Sequence, residues 1–329
     1  MGKNRLFHYS GIGGQAVLEG VMMRNKDLYS VSVRKPSGEI FTSVEEYHGL
    51  LSGSPLLRIP FVRGIFVFID SLVLGLKVTN YSASFYDDDE KDRPLDKVAD
   101  AVAGDKSEKL WSALTTVIAF AVAIGLFLVL PVKITGWMGS YLHSQALKAA
   151  FEGAVRISIF VLYILVISLM SDIRRLFAYH GAEHKCINCI ESGLPLTVAN
   201  VKKSSRFHRR CGSSFILLVL LISVILFMFI RTDSIVLKLI YRLLLLPVIS
   251  GISYEIIRLA GRSDNILVKI ISAPGMLLQR LTVKEPDDSM IEVGIASVEA
   301  VFDWRFYQKD AFGYDLEDDE DESEAYDED

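Results

Sequence analysis

Cysteine is scarce in this chain: three in 329 residues, Cys186, Cys189 and Cys211, an odd number held within one short stretch. A secreted disulfide framework is excluded by that count, and thiol or metal chemistry in a reducing compartment is favoured. An excess of basic charge is also missing. The net charge is -5, with acids crowded at 87–92 and 315–329, so nucleic acid is not an expected partner. Residues 1–10 lack a long apolar core followed by a small-residue cleavage site, so removal of a signal peptide is not expected. Gly11-Ile12-Gly13-Gly14-Gln15 lacks the Lys and Ser/Thr of a P-loop and the spacing of a dinucleotide fingerprint. Its glycines suit tight packing of a small β structure instead. Internal repeats, which would point to a transporter built from duplicated halves, are absent as well.

Long apolar runs, by contrast, are abundant, and 51% of the residues are hydrophobic. A helix needs about 20 predominantly apolar residues to cross the hydrocarbon core. The expected spans are 110–130, about 157–170 extended upstream through Arg156, 215–230, and about 235–257. The loop between the second and third carries Arg174, Arg175, Lys185, Lys202, Lys203, Arg206, Arg209 and Arg210, whereas the loop after the first has only Lys133 and Lys148. By the positive-inside rule the basic loop is cytoplasmic, and four spans place both termini there too. Segment 56–79 is long enough to cross but contains Arg58, Arg63, Asp70 and Lys77, so an interfacial or re-entrant helix is expected; the alternative pairs Arg63 with Asp70 inside the bundle. Arg156 and Arg242 are expected to snorkel to the interface, and Trp111, Trp137 and Tyr141 to anchor at membrane boundaries.

The fold expected is mainly α: a polytopic membrane protein of about four transmembrane helices, a small N-terminal β-containing cytoplasmic domain, and amphipathic surface helices. Residues 1–55 form the β-containing domain, in which Pro36-Ser37-Gly38 turns a hairpin. Residues 56–79 are the amphipathic helix and 80–109 an acidic linker. The membrane domain is 110–260, with a cytoplasmic His/Cys loop at 172–212. Amphipathic helices follow over 261–310, bent at Pro274-Gly275, with Ser289 capping a helix to about Phe302. The acidic tail 311–329 is expected to be disordered.

Chemistry concentrates in the 172–212 loop. His180 and His184 are four residues apart, so on a helix both imidazoles leave one face with Glu183 close by, an H-x-x-E-H arrangement. In inverse zincins such histidines bind zinc and the Glu acts as general base. His208 or Cys211, in His208-Arg209-Arg210-Cys211, would supply a further ligand, and Arg209 or Lys185 would stabilise developing negative charge. Two other readings stand beside this one. Gly181 inside the motif weakens a helix and would mark a helix end instead, and Cys186-x-x-Cys189 with His208-x-x-Cys211 would make a closed structural zinc site that only staples the loop. Alternatively no metal is held, and Glu183 pairs with Lys185 or Arg209.

Three segments carry a resemblance. Gly13-Gly14-Gln15-Ala16-Val17-Leu18-Glu19-Gly20-Val21-Met22-Met23-Arg24, Tyr179-His180-Gly181-Ala182-Glu183-His184-Lys185 and His208-Arg209-Arg210-Cys211-Gly212-Ser213 resemble the YqhQ-type family of bacterial membrane proteins. The family pattern usually has Thr where Ser213 stands, which keeps the hydroxyl. Cys186 and Cys189 fall outside it. The resemblance implies a predicted metal-dependent enzyme of unknown substrate, and it moves weight from a Cys-rich staple towards His180, Glu183, His184, His208 and Cys211.

The sequence thus points to a zinc or other divalent-metal hydrolase in the bacterial cytoplasmic membrane, acting on a membrane-proximal substrate. A non-enzymatic assembly or scaffold protein that recruits a cytoplasmic partner is the alternative. Membrane lipids are expected partners, and a homo-oligomer is compatible with everything above. A metal-ion carrier would need polar ligands inside the spans, which offer almost none.

Overall fold

The computed structural model describes residues 8–49, 54–86, 107–230, 232, 234–260 and 265–313. Four strands, β1 (Gly13–Val17), β2 (Gly20–Asn25), β3 (Leu28–Arg34) and β4 (Ile40–Glu46), pair antiparallel in sequence order. The hairpin read from Pro36-Ser37-Gly38 is present with Arg34 opposite Ile40 and Gly38 at φ +89°. Alternation along the strands decides what each face meets. Val17, Met22, Tyr29, Val31 and Val33 face one way, onto Leu74 and Val78 of α1 (Val62–Ala83). On the other face Val21 and Met23 join a larger core with α5 (Ser171–Glu191) and α10 (Asp288–Glu299). Ser30 also lies on that face, where its hydroxyl donates to the Ser297 carbonyl at 2.6 Å, so a small side chain lets α10 settle close to the sheet.

The apolar helices form the rest. A helix α2 (Ser107–Ile124) runs through a π turn at Gly125–Val129 into α3 (Leu130–Trp137); α4 (Gln145–Ile167), α7 (Gly212–Phe227) and α8 (Ile235–Ala260) follow, with a short α6 (Val198–Lys203) before α7. Three helices among the described residues are long and apolar enough to cross a membrane: Val117–Trp137, Gln145–Ile167 and Val236–Leu259. The expected third span corresponds to α7, whose 16 residues reach only about 24 Å, short of a hydrocarbon core of about 30 Å. Phe160, Ile164 and Leu217 pack with Leu278 of α9 (Ile266–Thr282), which ties the bundle to the C-terminal helices. A final helix, α11, covers Trp304–Phe312.

Several expectations shift, each for a local reason. The first span runs past Pro131 rather than stopping before it. The wide π turn loosens the hydrogen-bond ladder just ahead of the proline, where the ring and the missing N–H would otherwise break it. The second begins at Gln145, where Ser144 caps the helix by accepting from Leu147 N at 3.0 Å, and the charged Glu152 and Arg156 inside it are paired. Arg156 and Arg242 do not snorkel: they are 2% and 3% exposed, and both bond Glu152. Arg63 pairs with Glu255 rather than Asp70, which lies against Gly49 instead. α9 passes through Pro274-Gly275 without ending, and Gly275 there lets the helix approach Ser214 of α7 closely. The next helix is capped by Asp287, which accepts from Met290 N at 2.9 Å, with the Ser289 hydroxyl donating to the same carboxylate. Of the acidic linker, 80–83 continue α1 and 107–109 begin α2, while 87–106 lie outside the described residues. So does the tail from 314 onward.

Candidate metal centre

α5 leaves the end of α4 after a three-residue break and carries the H-x-x-E-H residues in its middle. Asp172 sits in its first turn, where a negative charge favours the helix dipole, and Gly193 at φ +68° lies just beyond its Ser192 cap. Gly181 is no helix end. It sits where the chain after α9 crosses α5, so close that a Cβ would strike the Lys284 carbonyl, and Lys284 N donates to Phe177 O at 2.8 Å to fix the crossing.

His180 and His184 leave the same face, their ring centroids 4.4 Å apart. Each presents Nδ1 to a backbone carbonyl: His180 to Thr282 O at 3.0 Å and His184 to Arg206 O at 2.7 Å. A carbonyl only accepts, so both Nδ1 atoms carry the hydrogen, and in the neutral rings both Nε2 lone pairs are free to ligate. They converge on Cys211, whose Sγ is 3.1 Å from His180 Nε2 across 31 residues of chain. The three ligand atoms of His180, His184 and Cys211 all lie within 4.8 Å of one another. Cys211 is the N-cap of α7, and its sulfur accepts from Ser213 N at 3.4 Å, next to the Ser213 hydroxyl at 3.0 Å.

Electrostatics agree with the geometry. Burial opposes a charge on Cys211, yet the two imidazoles outweigh it and hold the thiol well below its ordinary range. Burial likewise works against a charged His180, but the Cys211 sulfur and Glu183 push it up to about 9. Thiolate beside imidazolium is the metal-free counterpart of a ligand set, in which a divalent cation takes the proton's place. Glu183 is 5% exposed; burial raises its pKa, against the pull of both histidines and of a hydrogen bond from Gly14 N. Gly14 on β1 is thus the sheet's contact with the site, and a Cβ there would crowd the Glu183 side chain. Glu19, in the turn between β1 and β2, locks the sheet onto α5 by gripping Arg175 and accepting from Tyr179 OH at 3.2 Å.

His208 stays out of the ligand group. It stacks near His184, ring centroids 5.6 Å apart, but its Nε2 lies 3.2 Å from Arg210 Nη2 and 3.6 Å from Glu191 Oε2. Glu191, 2% exposed, gathers His208, Arg210, Ser10 N and the Ser10 hydroxyl; burial would raise its pKa, and those partners bring it down to about 2. Lys185 turns to Glu285 Oε1 at 2.5 Å and Lys202 O at 2.7 Å, and Arg209 is exposed beside α9. Neither faces the cluster. Cys186 and Cys189 lie on the opposite side of α5, as two and five residues beyond His184 on a 3.6-residue helix require for Cys186 in particular. Cys186 abuts Gly294, Cys189 contacts the Leu194 and Pro195 carbonyls, and burial raises both thiols, so neither joins the centre.

Sequence reasoning did not find the groups that frame the site. Gln279 is fully buried, accepting from His208 N at 2.9 Å and donating to His208 O at 2.7 Å and the Ser214 hydroxyl at 3.0 Å. A glutamine among Leu277, Leu278 and Leu281 is the only local hint. The carbonyls of Thr282 and Arg206 leave no sequence signal at all.

The chain belongs to the family described as "Protein of unknown function (DUF1385)", whose pattern matches residues 59–304. It is 37% identical over 292 residues to the "Uncharacterized protein YqhQ" of Bacillus subtilis (strain 168), covering 87% of this chain and 90% of that protein. No solved structure matches. The three apolar helices and this relative are consistent with a bacterial membrane location.

Proposed function

We propose that the protein is a metal-dependent hydrolase, zinc being the metal its donors suit best, working at the cytoplasmic face of the bacterial inner membrane on a membrane-proximal substrate. One observation carries this reading: both imidazoles are fixed by backbone carbonyls so that their free nitrogens meet the Cys211 sulfur, with Glu183 on the same helix face. A thiolate and two imidazoles are donors that zinc favours, and a set of three protein ligands leaves a coordination position open, as catalytic sites do. A structural staple would need a fourth ligand, and Cys186 and Cys189 face away.

In this reading His180, His184 and Cys211 hold the ion, which supplies Lewis acidity when bound. Glu183 holds and passes a proton at its carboxylate. Gly14 N orients that carboxylate and Ser213 steadies the thiolate. Lys185 and Arg209 receive no role at the reacting atoms, because the first is bound to Glu285 and the second lies by α9. α7 completes a fourth crossing, the bilayer thinning locally around it. Fluorescent-protein fusions at either terminus should therefore both light up in cells; a dark C-terminal fusion beside a bright N-terminal one would overturn the four-crossing topology.

The experiment is elemental mass spectrometry on detergent-purified protein. Near-stoichiometric zinc is expected in the wild type, lost in His180→Ala/His184→Ala and retained in Glu183→Gln. Glu183→Gln should then fail to restore a deletion strain's phenotype. Metal-free protein after chelator-free purification would end the metalloenzyme reading, and full rescue by Glu183→Gln would favour a scaffold.

A further inference from the structure

A second polar chamber lies at the far end of the bundle. α7 is capped by Cys211 and ends at Phe227, and its 16 residues separate the two ends by about 24 Å. At the Phe227 end a cavity of about 450 Å3 is lined by Lys133, Thr135, Lys148, Glu152, Lys238 and Arg242, among others. Four cationic side chains therefore face one carboxylate, and that carboxylate is already shared. Glu152 accepts from Arg156 Nη2 at 2.6 Å and from Arg242 Nη2 at 2.7 Å.

The innermost donors are only partly satisfied. Arg242 is 3% exposed, and its Nε and Nη1 lack a hydrogen-bond partner. Nη1 stands 2.6 Å from Glu152 Oε1, within ion-pair distance but without hydrogen-bond geometry. The Thr135 hydroxyl, on a residue 6% exposed, is likewise unpaired. Buried polar groups are almost always satisfied, so the Arg242 Nε and the Thr135 hydroxyl, both unpaired on the wall of one cavity, mark a place built for an acceptor. The π turn adds to the construction: Arg156 Nε donates at 3.0 Å to Phe127 O inside that turn, which holds the arginine pair in register with Glu152. Trp137, which lines the cavity, is 85% exposed, as suits an aromatic side chain at the level of lipid headgroups.

We infer that this chamber binds a phosphate-bearing anion. Arg242 and Thr135 are the deep donors, and Lys133, Lys148 and Lys238 neutralise charge at the entrance. An arginine fork matches phosphate oxygens, and the surplus of cations over Glu152 suits phosphate better than a single carboxylate. The ligand is either the headgroup of an anionic phospholipid or a free phosphate compound, and nothing in this inference rests on the metal centre.

The test uses the full-length protein in detergent. Native mass spectrometry with added phosphatidylglycerol or phosphatidylcholine is run beside calorimetry with inorganic phosphate. Two variants are compared with the wild type: Lys133→Gln/Lys148→Gln/Lys238→Gln, which spares the buried arginines, and Thr135→Val, which keeps every charge and nearly the same shape. Phosphatidylglycerol is expected to bind in preference to phosphatidylcholine, about tenfold more weakly to the triple variant and measurably more weakly to Thr135→Val. Binding of inorganic phosphate with the same variant pattern, without lipid preference, would support the site and assign it to a soluble anion. The inference is overturned if neither phosphatidylglycerol nor phosphate distinguishes wild type from both variants. Should the triple variant not fold, Thr135→Val decides alone.

Discussion

Gly181 lies directly beneath the carbonyl of Lys284, with no room for a β-carbon between them. The H-x-x-E-H helix is thereby pressed against the segment that also presents Thr282 O to His180. Gly181→Ala gains helix propensity yet must force the crossing segment away, and overpacking of this kind costs about 1–3 kcal/mol. Thermal unfolding of the detergent-solubilised variant should show a lower midpoint and weaker metal retention; an unchanged or raised midpoint would show that the crossing yields freely.

Cys211 and Cys186 make opposite predictions although both are buried. Cobalt(II)-loaded protein should show a near-ultraviolet thiolate-to-metal band that vanishes in Cys211→Ala and persists in Cys186→Ala. Loss of the band in both would place Cys186 in the centre, against the face it occupies on α5.

The legibility of this site from sequence divides along the same line. His180, Glu183 and His184 announce themselves by spacing, because four residues return a helix to the same face. The choice between His208 and Cys211 does not, since it is made by Glu191, outside the motif, which with Arg210 engages the histidine. The hairpin at Pro36-Ser37-Gly38 was local and readable. The run of helix through Pro131 was not, because the proline is accommodated by a π turn whose Phe127 carbonyl is bonded by Arg156 from another helix, a contact no local pattern announces. Lys185 and Arg209 looked well placed by proximity in sequence, yet one faces Glu285 and the other the surface.

Glu191 gives a pH signature. Its carboxyl is at about 2 in the folded chain against an ordinary 4.5. The group contributes stability above pH 4.5 and loses it as pH falls towards 2, the full effect being about 3 kcal/mol. The midpoint difference between wild type and Glu191→Gln should be largest near neutrality and shrink through that window. A difference independent of pH would mean that the carboxylate charge is not what holds Ser10 and Arg210.

Glu152 is the only carboxylate bonded to Arg156 and Arg242 among the described residues. Glu152→Gln leaves two buried arginines without a counter-charge, a change that costs about 3–5 kcal/mol in buried pairs. Unfolding in mixed micelles should register that loss, whereas Glu152→Asp should recover part of it. Stability equal to wild type in Glu152→Gln would show that water or lipid already compensates the pair.

Thr282 is the last residue of the amphipathic α9 and also the residue whose carbonyl holds His180. Two jobs in one peptide unit make it a mechanical joint. Any sliding or tilting of α9 relative to α5 must either carry the imidazole along or release its Nδ1, so the aim of the ligand is geared to the seating of α9 against its neighbour α7.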